Sequence, residues 1–151
     1  DMLQEGAAAY DILGPQTVLK IPATATGFTA LSQLSPQMDC SVTGIYSPAQ
    51  AAVAAEGGAK YAIAYVNRAT RLLGDGISLV KSMADVLAGS ETKILAASIK
   101  SPDEAVAALT AGALHLTLPY DMLQKMTFHA LSEQTVQDFN QEGRGLLIDK
   151  S

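Results

Sequence analysis

The chain has 151 residues, 48% of them hydrophobic, which is enough to build one domain with a sizeable core. A formal net charge of −5 argues against nucleic acid as the main partner, since phosphate backbones are held by clustered cations, and no apolar run approaches the roughly 20 residues that span a bilayer. The single cysteine, Cys40, excludes an internal disulfide, cannot by itself hold a metal, and fits a reducing, cytoplasmic setting.

Residue 1 is Asp rather than Met, so the chain reads as processed, trimmed or partial, and no signal peptide is visible. The opening stretch DMLQEGAAAYDIL has the pattern of a helix end. TVLKIP reads as a strand, followed by a helix from about Gly27 to Leu34. CSVTGIY reads as a second strand. SPAQAAVAAEGG follows as its helix, with Ser47 as N-cap, Pro48 at the first helical position and two glycines as the stop. KYAIAYV is a third strand, and NRATRLLGDG reads as a polar, glycine-punctuated loop. ISLVKSMADVLAG spaces its apolar residues as a helix does, and KILAAS is a fourth strand. SPDEAVAALTAG repeats the Ser-Pro start signal, LHLTLP is a fifth strand, and YDMLQKMTFHALSEQTVQDFNQE is helical with a break near Thr127. GRGLLIDKS closes the chain, and residues 140–151 are read as a C-terminal tail on a single domain over 1–151.

The order is therefore one helix, then a strand–helix pair five times. Regular alternation with nearly continuous apolar strands predicts an α/β fold with parallel strands buried on both sides, either a doubly wound open sheet or a (β/α)8 barrel. Neither G-x-G-x-x-G nor G-x-x-x-x-G-K-[ST] occurs, so a nucleotide-binding sheet lacks its signature.

Such strands are expected to carry Val, Ile and Leu, yet Lys20, Ser41, Thr43, Tyr65 and Ser98 interrupt them, most of them towards the C-terminal end of a strand. Both folds place their ligand site at that end. Four consecutive strands each supplying a polar group suggest a ring of side chains around one pocket. Lys20 stands out. Burial between Val18, Leu19 and Ile21 would disfavour the ammonium, and a neutral amine attacks a ketone or aldehyde to form a Schiff base. The plainer alternative is a lysine whose stem is covered and whose head reaches water.

TVLKIPATATGFTAL, followed by SVTGIYSPAQAAVAAEGGAKYAIAYVNR and ILAASIKSPDEAVAALTAGALHLTLPYDML, resembles the transaldolase family, and within it the fructose-6-phosphate aldolase branch. The likeness runs in order through nearly the whole chain. It implies a (β/α)8 TIM barrel of which this chain carries strands four to eight with their helices, the first three units lying outside it. It further implies a class I aldolase or transaldolase that makes or breaks C–C bonds of sugar phosphates such as fructose 6-phosphate, within the pentose phosphate area of metabolism.

Residue by residue, Lys20 matches the Schiff-base lysine, Tyr65 the acid/base tyrosine that works through a water, and Thr43 the hydroxyl that holds that water. Typical transaldolases tend to have Phe where Tyr65 stands, so the tyrosine points to an aldolase. Arg68 and Ser98 match the positions that grip the substrate phosphate, a task suited to a guanidinium fork. The same resemblance implies no metal and no organic cofactor, and a ring-like homo-oligomer in which VQDFNQEGRGLLIDKS reaches a neighbour. The aspartate, asparagine and Glu/Gln that the family takes from strands one to three have no counterpart here, so a second chain supplying those strands is also considered.

Each residue has an ordinary alternative: a satisfied core tyrosine for Tyr65, strand propensity for Thr43, a solvated loop charge for Arg68 and a helix cap for Ser98. His115 and His129 are read as structural or surface residues, and Cys40 as a small buried hydrophobe. The alternative for the whole chain is a catalytically inactive scaffold or subunit docked in a larger complex.

Overall fold

The computed structural model describes residues 2–143. It divides into one unit ending at Leu118 and another beginning at Pro119. In the first, α1 (Met2–Leu13) precedes β1 (Leu19–Pro22), α2 (Ala25–Leu34), β2 (Cys40–Ile45), α3 (Pro48–Glu56), β3 (Tyr61–Tyr65), α4 (Val66–Leu73), α5 (Gly76–Val86), β4 (Lys93–Ala97), α6 (Pro102–Thr110) and β5 (His115–Leu116). The second holds α7 (Tyr120–Thr127) and α8 (Ala130–Gln141). The tail expected over 140–151 lies outside the described residues beyond Gly143, as does Asp1.

The five strands are parallel and stand in chain order, β1-β2-β3-β4-β5. A doubly wound sheet reverses its order at a switch point and carries helices on both faces. Here the order never reverses, and the helices cover one face: α2 packs on β1, α3 on β2 and β3, and α5 on β3 and β4. This is an arc of a (β/α) barrel whose sheet is not closed.

Register explains the one-sided burial. Ile21, Val42, Ala62 and Ile94 are cross-strand neighbours, as are Ala64 and Ala96, and all are at most 3% exposed. The alternate positions form the other face. There Lys20 aligns with Ser41, Tyr61 and Lys93, while Pro22 aligns with Thr43, Ile63, Leu95 and His115. Of these, Ser41 and Ile63 are buried, Thr43, Tyr61, Lys93 and Leu95 are half-buried, and Lys20, Pro22 and His115 are exposed. Among these aligned residues burial is therefore complete on the helix side and reaches only Ser41 and Ile63 on the other, so the expectation of strands buried on both sides is met in full on one side.

Local signals place most helix ends. The Thr24, Ser47, Asp75 and Ser101 side chains each accept the N–H three residues on, an arrangement worth about 1 kcal/mol per cap. Ser47 and Ser101 are each followed by proline at the first helical position. The break near Thr127 falls at Phe128 and His129, and His129 Nδ1 accepts from Leu131 N–H to cap α8. One segment differs from expectation. The stretch read as a loop after the third strand is mostly helix α4, because Val66 and Ala69 bury one side while Asn67, Arg68 and Arg71 occupy the other. Gly74, at φ +97°, ends it.

Small residues let these helices approach the sheet. A Cβ at Gly27 would lie 1.9 Å from the Pro22 carbonyl oxygen, so only glycine brings α2 this close to the end of β1. We expect Gly27→Ala to cost about 3 kcal/mol, read as a fall in Tm of about 10 °C. An unchanged melting curve would show that the close approach is dispensable.

Candidate active site

At the C-terminal side of the open face, side chains from three strands and one helix meet around Tyr65. Thr43 Oγ1 donates to the Tyr65 hydroxyl oxygen at 3.2 Å. The Lys20 ammonium lies 5.9 Å from the centre of the Tyr65 ring, and the Arg68 guanidinium carbon 4.9 Å from it. Tyr46 meets the same ring edge-on, with centroids 6.4 Å apart at 73°. Two cations on one aromatic ring constitute a favourable electrostatic arrangement as well as a contact.

The chain delivers these groups by simple local means. Lys20 is the second residue of β1 and belongs to the uncovered face by register. A bulge falls between Thr43 and Ile45 at Gly44, whose φ of +73° requires glycine. The extra residue turns Ile45 to the helix-covered side while Thr43 stays on the open face, and it lets Tyr46 reach Tyr65. Gln50, one turn into α3, accepts from Tyr46 N–H at 3.0 Å and donates to the Ala23 carbonyl at 3.2 Å, tying the ends of β1 and β2 together. Tyr65 ends β3 and immediately precedes α4, so Arg68 sits in the first turn of that helix.

The electrostatics follow from this geometry. The hydrogen bond from Thr43 lowers the Tyr65 phenol below its ordinary value of 10.0; partial burial opposes this, and the charges of Lys20 and Arg68 reinforce it. Lys20 itself is exposed. Among the described residues no apolar enclosure surrounds Lys20, because Leu19 and Ile21 point to the helix side of the sheet and Lys20 to the other. Cys40 is fully buried, and burial followed by the neighbouring Asp39 charge pushes its thiol up, so it is no nucleophile.

Of the five residues singled out in the sequence, Lys20, Thr43, Tyr65 and Arg68 gather into one cluster. Ser98 joins through its backbone: its carbonyl accepts from Asn67 N–H at 3.1 Å, satisfying one of the free N–H groups at the start of α4. Ser98 also adopts φ +60°, a left-handed conformation that only this one non-glycine residue among the described residues takes. Tyr46, Gln50 and Asn67 were not singled out beforehand. Tyr46 and Gln50 depend on the bulge, which a strand pattern does not reveal. Among the described residues no three His, Cys, Asp or Glu side chains come together as metal ligands, and no helix is long and apolar enough to cross a membrane.

Residues 1–150 match the model of the family described as Transaldolase/Fructose-6-phosphate aldolase. A protein named "Probable transaldolase" from Symbiobacterium thermophilum is 36% identical over 142 residues, covering 92% of this chain and 65% of that protein. Another of the same name from Agathobacter rectalis is 34% identical over 151 residues, covering 98% of this chain and 69% of that protein. The chain thus spans about two thirds of the length of these curated relatives. Among solved structures, a mandelate oxidase mutant with (S)-mandelic acid superposes with a TM-score of 0.50 at 20% identity, over 60% of this chain and 28% of the other, a likeness of fold alone.

Proposed function

This chain belongs to the transaldolase/fructose-6-phosphate aldolase family, and we propose that it carries the Schiff-base half of a class I aldolase acting on sugar phosphates such as fructose 6-phosphate. The observation that supports this reading is the meeting of Lys20, Thr43, Tyr65 and Arg68 at one end of the open sheet face.

In this reading the neutral Lys20 amine adds to the ketone carbon and water leaves, giving a protonated imine. Tyr65, as phenolate and through a water, takes the proton from the hydroxyl next to the scissile bond. The C–C bond breaks, its electron pair moves into the imine as an enamine, and an aldehyde departs. Protonation of the enamine carbon and hydrolysis return the free lysine and the second product. Thr43 holds the tyrosine oxygen in place by direct donation, and Arg68 offers a two-pronged contact to the phosphate. The lysine is the electron sink, so no metal or organic cofactor enters the scheme.

The test is borohydride reduction of the intact natural protein with dihydroxyacetone or fructose 6-phosphate, followed by peptide mapping. One reduced adduct on Lys20 is expected, and an adduct elsewhere, or none, would remove the reading. Arg68→Ala is expected to raise KM for phosphorylated substrates about tenfold or more while leaving unphosphorylated ones nearly unchanged, because charge-assisted bonds to phosphate are lost. Equal weakening of both classes would reject the phosphate assignment. The reading includes a homo-oligomer, supported by the exposed Leu131, Val136 and Phe139 of α8, and a cytoplasmic setting, supported by the free buried Cys40.

A further inference from the structure

We infer that Glu104 and Asn67 form a positioning clamp that holds the two phosphate-binding side chains, Arg68 and Ser98, in register; this rests on the proposed function.

Glu104 is the third residue of α6, a place from which a glutamate usually reaches back to its own helix cap. Here its two oxygens serve two different segments. Oε2 accepts from Lys100 N–H at 2.7 Å, fixing the loop that leaves β4. Oε1 accepts from Asn67 Nδ2 at 3.2 Å, fixing the start of α4. The Asn67 N–H in turn donates to the Ser98 carbonyl at 3.1 Å, and the Ser101 hydroxyl accepts from Glu104 N–H at 3.1 Å. Arg68 follows Asn67 directly, and Ser98 lies two residues before Lys100. The ends of β3 and β4 are therefore cross-linked through one carboxylate and one amide.

The Ser98 backbone supplies a second, independent observation. A left-handed serine costs of order 1–3 kcal/mol and persists only where its surroundings over-determine it. The Asn67 N–H donating to its own carbonyl, and the Lys100 N–H donating to Glu104 two residues on, provide that constraint. Neither side chain hydrogen-bonds to Lys20, Thr43, Tyr65 or the Arg68 guanidinium among the described residues, so in this inference the pair acts on substrate through the residues it holds. A carboxylate near an anion site is unfavourable unless its oxygens are occupied by donors, and both are.

The chemistry separates two substitutions. In Glu104→Gln, one amide oxygen still accepts from Lys100 N–H, and the amide nitrogen can donate to Asn67 once the asparagine turns its oxygen inward. Glu104→Ala loses both ties. Titration of the intact protein with inorganic phosphate is expected to show about tenfold weaker binding in Glu104→Ala and in Asn67→Ala, and near-native or tighter binding in Glu104→Gln, which also removes a negative charge. KM for fructose 6-phosphate should rise by a similar factor in the alanine variants while KM and kcat for dihydroxyacetone stay unchanged. Should Glu104→Ala fail to fold by its melting curve, Asn67→Ala decides. Absence of phosphate binding in the natural protein, insensitivity of that binding to both alanine variants, damage by glutamine equal to alanine, or equal loss for both substrate classes would each overturn the clamp. Borohydride trapping at Lys20 reads the proposed function separately, so the two ideas fail by different observations.

Discussion

Lys20→Met is expected to abolish the borohydride-trapped adduct and to lower C–C bond cleavage by roughly four orders of magnitude or more, since no other group supplies the covalent step. Lys20→Arg distinguishes covalent from electrostatic roles. A guanidinium keeps the positive charge near the Tyr65 ring but does not lose a proton to become an attacking amine. If Lys20 were only a cation with its stem on the sheet, arginine would preserve most of the rate. The Schiff-base reading requires arginine to be as inactive as methionine, measured as cleavage of fructose 6-phosphate together with intact mass after reduction. Because Lys20 is exposed and outside the helix-packed core, neither change should lower Tm appreciably, so lost rate is separable from lost fold.

Tyr65→Phe is expected to reduce turnover by roughly 10²- to 10³-fold, the range of a single positioned acid/base group, while the Lys20 adduct still forms. The pH dependence carries the sharper signature. The phenol titrates below its ordinary 10.0, first because Thr43 donates to its oxygen and further because Lys20 and Arg68 stand near the ring, with partial burial acting in opposition. Under the proposed mechanism, in the bond-forming direction the phenol would give its proton to the new alkoxide. That rate should therefore fall as pH rises through a value below 10.0. Thr43→Val removes the largest cause, so the falling limb moves up in pH, and Tyr65→Phe removes the limb altogether. A limb that ignores Thr43→Val would mean that another group titrates.

Most of the candidate site was legible before folding because the signals are local. A charged residue inside an apolar strand and a hydroxyl or a phenol near a strand end are visible in a pattern of alternating strands and helices. Lys20, Thr43 and Tyr65 were found this way, with Ser41 and Ser98; the resemblance gave roles to all of these but Ser41, and it alone singled out Arg68. The Ser-Pro starts at Ser47 and Ser101 were equally plain, because a capping hydroxyl acts only a few residues away. Helix α4 was missed because its first buried residue, Val66, was read as the end of the third strand, which left Ala69 as the one other buried residue of the helix, inside a polar, glycine-punctuated stretch.

What the sequence by itself determined is the order of the five strands, the parallel α/β class and the identity of the polar residues at strand ends, since these depend on spacing, capping and side-chain chemistry within a few residues. What only the tertiary structure decided is which side each strand residue faces and what it meets there. Register and the helix layer put Lys20 on an uncovered face instead of in an apolar enclosure. The Gly44 bulge, a backbone event, brought Tyr46 to the Tyr65 ring. Asn67 and Glu104 stand 37 residues apart in the chain and meet only because β3 and β4 pair side by side, placing the start of α4 against that of α6. No local pattern encodes such a meeting, because it arises from the packing of whole elements.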